Sequence, residues 1–122
     1  PDGYVLLMMS SGHWMLPAVR RKLPYDPVRD FSPISKIVSY PMMLLVHPSL
    51  PAFSVRQLVQ LGKGAAGRLN YASSGAFSQL TTEKFKQMSG MAMTRIPYKG
   101  GAPALADLAA GHGEVYLPHA LA

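Results

Sequence analysis

Apolar and polar positions follow two different spacings along this chain, and the switches between them mark out its elements. Tyr4 to Met9, YVLLMM, is an unbroken apolar run of strand length, as expected of a strand covered on both faces of a parallel sheet. It gives way at Ser10-Ser11-Gly12-His13, a small-residue turn, to a short segment from Trp14 to Lys22 that Pro17 interrupts. Leu23-Pro24-Tyr25-Asp26-Pro27 cannot continue a helix, because each proline disfavours helical geometry in the residue before it. It reads as an ordered loop leading to Asp30-Phe31. Ile34 to Ser39 and Met42 to His47 read as two further strands. Only Tyr40-Pro41 separates them, a junction at which one extended path changes its sheet or its domain.

The second half has a more regular rhythm. Ser54-Val55-Arg56-Gln57 is a capping box and starts a helix with Val55, Leu58 and Val59 inward, stopped by Gly62 and Gly64. Leu69 to Ala72 is a strand that meets Ser73-Ser74-Gly75. Beyond that turn, Phe77, Leu80, Phe85 and Met88 recur at helical spacing until Gly90 closes the element. Met91 to Ile96 is a strand, Pro97-Tyr98-Lys99-Gly100-Gly101 a turn, and Ala102-Pro103 the first turn of a helix with Leu105, Leu108 and Ala109 inward and Gly111 after its end. Glu114 to Leu117 is a last short strand. From Met42 onward the order strand, helix, strand, helix, strand, helix, strand is that of a doubly wound α/β sheet, in which ligands sit beyond the carboxyl ends of the strands.

Composition narrows the class. The 122 residues are 48% hydrophobic and 15% charged, which suits a folded domain and excludes a disordered chain. Twelve Lys and Arg against six Asp and Glu leave a net charge of +6, which fits either a solvated surface or an anionic partner. Arg20-Arg21-Lys22 is the only basic run and lacks interleaved aromatics, so nucleic acid is not the expected partner. With no cysteine there is no disulfide framework, thiolate metal site or cysteine nucleophile. The chain opens on Pro1-Asp2-Gly3-Tyr4, a turn rather than an export signal, and no apolar stretch approaches the ~20 residues that span a bilayer.

The three turns at 10–13, 73–78 and 97–101 carry the candidate chemistry. Each follows a strand and precedes a helix, so all three can converge on one site. A turn of this kind offers unpaired backbone N–H groups at the positive end of a helix, serine hydroxyls beside them, and little side chain to obstruct a ligand. It is a seat for an anion, most naturally a carboxylate. His13 can either bond that carboxylate or cap the helix after it. Ser73 and Ser74 can hold the ligand or cap their own helix, and Lys99 can supply a charge-assisted bond or remain solvated. Tyr71 and Tyr98 read as packing residues. No nucleophile elbow, histidine and carboxylate relay, Walker loop or dinucleotide fingerprint is present, so the reading is not an enzyme. His47, His112 and His119 lie at long, irregular intervals without acidic partners at ligand spacing, and neither metal nor cofactor is expected.

PDGYVLLMMSSGH, KLPYDPVRDFSPIS, LLVHPSLPAFSVRQLV, GRLNYASSG and IPYKGGAPALADLAAG together resemble the solute-binding proteins of tripartite tricarboxylate transporters, the Bordetella uptake gene (Bug) family, over nearly the whole chain. The resemblance implies a periplasmic receptor of type II binding-protein topology. Two α/β domains close over a small carboxylated solute (a di- or tricarboxylate, an acidic amino acid or an aromatic acid) and deliver it to a membrane permease. Carried over by motif, Ser10, Ser11, Gly12 and His13 face the site from the first domain. Ser73, Ser74, Gly75 and Ser78, with Lys99, Gly100 and Gly101, face it from the second.

Set against the family pattern, this stretch lacks a leading strand with its glycine-rich turn and the strands that return to the first domain. It therefore resembles a fragment truncated at both ends, with residues 1–40 as part of a first domain and 41–122 as the second. With no leader in the chain, the compartment is periplasmic by resemblance, or cytoplasmic for a free-standing truncated product. Ala76-Phe77 stands where small polar residues are common, and Phe77 either plugs the carboxylate seat or reshapes it. If the absent strand belongs between Tyr4–Met9 and Ile34–Ser39, those segments keep open edges, which favours a homodimer or higher oligomer. Two functions remain: a solute-binding module, or a remnant that self-associates without binding solute.

Overall fold

The computed structural model describes residues 3–64 and 69–120. Two one-turn helices come first, α1 (Ser11–Trp14) and α2 (Leu16–Val19), the latter with Pro17 in its first turn, where a missing N–H costs nothing. Then follow β1 (Leu45–Val46), α3 (Val55–Gly64), β2 (Leu69–Ser73), α4 (Ala76–Ser89), β3 (Met93–Pro97), α5 (Gly101–Ala109) and β4 (Val115–Tyr116). The strands form one sheet in the order β1-β4-β2-β3, with β4 parallel to β2, β2 parallel to β3, and β1 antiparallel at the far edge.

Strand periodicity sorts the core into two layers. Leu69, Tyr71, Met93, Val115 and Leu117 project to one face and pack with Leu58 of α3 and Phe85 of α4. Ala72 and Tyr116, one residue along from Tyr71 and Val115, project to the other face and meet Ala104 and Leu108 of α5. Helices thus cover both faces of a mostly parallel sheet, the α/β arrangement expected from Met42 onward.

Several local expectations change. The Met42–His47 strand narrows to Leu45–Val46, although its neighbours still run antiparallel beside the chain after Glu114: Met43 N–H bonds Pro118 O at 3.1 Å, His47 N–H bonds Glu114 O at 2.9 Å, and Met42 bridges His119. Gly62 does not end α3. It lies within it because Met91 packs against its bare Cα. Val55 and Ala109 point outward, and Ala104 takes an inward place on α5. On α4 the buried face is Ser78 and Thr82 rather than the apolar stripe, and Met88 is exposed. Thr82 Oγ1 donates to Ser78 O at 2.7 Å, so a hydroxyl can lie against the sheet with its proton satisfied inside the helix.

The largest correction concerns the first forty residues. Neither Tyr4–Met9 nor Ile34–Ser39 is a strand: both run as irregular chain with their apolar side chains in solvent, Tyr4 90% and Ile34 82% exposed. A strand needs a ladder partner for its N–H and C=O groups, and neither segment is part of the described sheet. The middle of this region is anchored on the rest of the fold. α1 and α2 rest on α4, and Asp26 organises its loop by accepting from Val28 and Arg29 N–H at 2.8 and 3.0 Å.

Candidate functional site

The register of the sheet decides where the turns emerge. Ser73 pairs with Pro97 at the ends of two adjacent parallel strands, and Tyr98 N–H donates to Ser73 O at 2.8 Å, so the turns at 73–78 and 97–101 leave the same rim. Both lead into helices with glycine N-caps, Gly75 for α4 and Gly100 for α5, and neither first turn is closed by a side chain. α3 begins differently. Ser54 Oγ accepts from Gln57 N–H at 3.2 Å, while Gln57 reaches back to Phe53 N–H at 2.7 Å, one residue beyond the expected box. The helix away from this rim is capped by its own side chains; the two that open on it are not.

A cleft of about 400 Å³ opens in front of α4. Ser74, Gly75, Ala76, Phe77 and Ser78 form one wall, Ser10, Gly12, His13 and Leu16 the second, and Tyr116, Pro118 and His119 the floor. Of the expected site residues, Ser10, Gly12, His13, Ser74, Gly75 and Ser78 are therefore brought together. Ser11 is exposed at the start of α1, Ser73 is buried behind the turn, and Lys99, Gly100 and Gly101 share the rim without lining the cleft. The expected convergence of three turns is a convergence of two.

Hydrogen bonds fix the shape of the turn. Tyr116 Oη donates to Ser74 Oγ at 2.7 Å, Ser74 N–H donates to Ser78 Oγ at 3.0 Å, and that hydroxyl donates to Gly75 O at 3.1 Å. The first N–H groups of α4 have no acceptor within the helix, and Ala76, Phe77 and Ser78, which carry them, line the cleft. Opposite them, His13 stacks on Tyr25 with centroids 5.1 Å apart and meets Phe31 edge-on at 5.4 Å, while its Nε2 is buried with no hydrogen-bond partner among the described residues.

Phe77 lies against His119 with centroids 4.3 Å apart, and Tyr40 meets His119 edge-on at 4.7 Å. Burial lowers the pKa of His119, which favours its neutral ring. Tyr116, Pro118 and His119 were not legible as site residues, since their only sequence signal was a short strand after the last helix. Among the described residues no group of three or more His, Asp or Glu could hold a metal ion, and no helix is long and apolar enough to cross a membrane.

Residues 1–121 match the family described as the tripartite tricarboxylate transporter family receptor. Protein BugT of Bordetella pertussis is 35% identical over 118 residues, which are 90% of this chain and 35% of that protein. A relative from Agrobacterium vitis is 34% identical over 113 residues, 91% of this chain and 33% of its own length. The chain thus spans about a third of the length of these relatives. Among solved structures, an R. palustris protein with adipate superposes with a TM-score of 0.81 at 38% identity, and the periplasmic binding protein BugD with 0.80 at 26%. Each match covers 88% of this chain and 37% of the solved one.

Proposed function

The chain belongs to the tripartite tricarboxylate transporter receptor family, and from that premise we propose that it forms part of a periplasmic receptor that binds a small carboxylated organic acid for delivery to a membrane permease. In this reading residues 1–40 belong to the first α/β domain and 41–122 to the second. Its role is to bind and hand over, not to catalyse. The observation that carries it is the open first turn of α4 at the cleft, where glycine caps the helix and the N–H groups and positive helix end suit a carboxylate. The relative solved with adipate, a dicarboxylate, supports the same chemistry.

Isothermal titration of the chain with adipate, other di- and tricarboxylates, and aromatic acids such as benzoate tests it. A Kd below about 100 µM, roughly −5.5 kcal/mol, is expected. Ser74→Phe should abolish that binding by filling the turn; undiminished affinity in the variant would remove the turn from the site, and silence across the panel would sink the reading.

A second reading has its own observation. The exposed apolar segments at 4–9 and 34–39 favour self-association into a homodimer or larger oligomer, with or without solute binding, and light scattering of the chain decides it.

A further inference from the structure

We infer that Phe77 sets the class of acid this site accepts, a monocarboxylate with a flat, apolar, aromatic body in preference to short di- and tricarboxylates. The inference rests on the acid-binding reading above and narrows it. Phe77 stands one residue inside α4, and its ring is tilted 32° against His119, which in turn packs edge-on to Tyr40. Phe77 and His119 line a cleft whose other apolar contributors include Leu16, Ala76 and Pro118. Burial favours the neutral form of His119, so it extends the aromatic wall more than it offers a cation. The backbone of α1 crosses directly over the root of the ring, since a methyl placed on Gly12 would lie 3.7 Å from Phe77 Cβ and 3.8 Å from its N. Phe77 is thereby held as part of the wall.

The polar inventory points the same way. Ser78 Oγ already accepts from Ser74 N–H and donates to Gly75 O, and Ser74 Oγ already accepts from Tyr116. Among the described residues no lysine or arginine lines the cleft. One carboxylate is met by the N–H groups of α4, with His13 Nε2 in reserve. A second carboxylate, or a row of hydroxyls, would lose water against Phe77, Leu16 and Pro118 with only the Ser10 and Ser74 hydroxyls to meet it, whereas an aromatic ring gains contact with the faces and edges already there.

Titration of the chain with benzoate, malate, citrate and adipate distinguishes the two levels of the claim. The expected result is benzoate bound at least about tenfold more tightly than malate or citrate. Phe77→Ser, with its fold checked by circular dichroism and urea midpoint, should weaken benzoate about tenfold and bring the benzoate-to-malate ratio close to one. Phe77→Leu, which keeps the bulk and loses the ring, should fall between. Malate or citrate bound as tightly as benzoate, or a ratio indifferent to Phe77→Ser, overturns the inference and leaves acid binding in place. Failure of all four acids overturns both.

Discussion

At Gly62 the absence of a side chain does two things that look alike in a sequence. Glycine near the end of an apolar periodicity reads as a stop, yet here it sits inside α3 because Met91 occupies the space where a Cβ would be. An added methyl would overlap the Met91 terminal methyl and lie 3.1 Å from its Cγ and 3.3 Å from its Sδ, in a side chain only 4% exposed. Gly62→Ala should therefore destabilise by about 1–2 kcal/mol, the cost of overpacking. Gly113→Ala, where nothing lies within 4 Å, should stay within about 0.5 kcal/mol. Urea midpoints of the two variants check the contrast, and equal midpoints would refute it. The same scale explains what was legible at the site. Small residues before a helix announced Ser74, Gly75 and Ser78, but no local pattern could announce His119, which reaches the cleft only because the last strand runs beside β2.

The elements are tied by hydrogen bonds that no pattern of apolar residues encodes. Tyr71 of β2 is fully buried, and its hydroxyl donates to Glu83 of α4 at 2.5 Å; the same carboxylate oxygen accepts from Lys86 at 3.0 Å. Burial pulls the Glu83 pKa upward, but the bonds from Tyr71 and Lys86 outweigh it and hold the carboxyl below its ordinary 4.5. Tyr98 at the end of β3 and Asp107 of α5 form a second tie of 2.6 Å, which pushes the phenol up to about 12, first through that bond and then through burial.

Glu83→Ala leaves a buried hydroxyl unpaired and should cost about 1–3 kcal/mol, while Tyr71→Phe combined with it should cost less than the sum of the two. Because the folded pKa of Glu83 is depressed, the coupling is complete above pH 4.5 and lost as the pH falls through the folded value. A double-mutant cycle in urea at pH 7 and pH 3 reads it; a coupling unchanged at pH 3 would contradict the assignment. Element types were well marked in the sequence. The buried face of α4 was not, because Ser78 and Thr82 pass for surface residues until their hydroxyls are seen bonded to the helix's own carbonyls.

Across the whole molecule, order is unevenly distributed. From Leu45 to Leu117 the sheet and its two cores account for most of the buried side chains, whereas Tyr4–Met8 and Ile34–Val38 leave apolar residues in water. Their composition did point to strands, and correctly reported what such segments prefer; what it cannot report is whether a neighbour exists to complete the ladder. Exposed apolar chain of strand-like composition favours pairing between copies. On the self-association reading, light scattering at micromolar concentration should find a dimer or larger species. Replacing Leu6 and Val38 by lysine should return it to a monomer with the unfolding midpoint of the sheet unchanged. A compact monomer in the parent chain would set that reading aside.

The glycine that opens α4 has one more implication. A helix whose first turn lacks a side-chain partner is held less firmly there than its capped neighbour α3, and whatever settles on those amides completes it from outside. On the proposed function, the bound acid is in effect the missing first residue of α4. Recognition and the tightening of that turn then draw on a single free energy, and amide exchange at Ala76 to Ser78 slows in proportion to how well the acid fits.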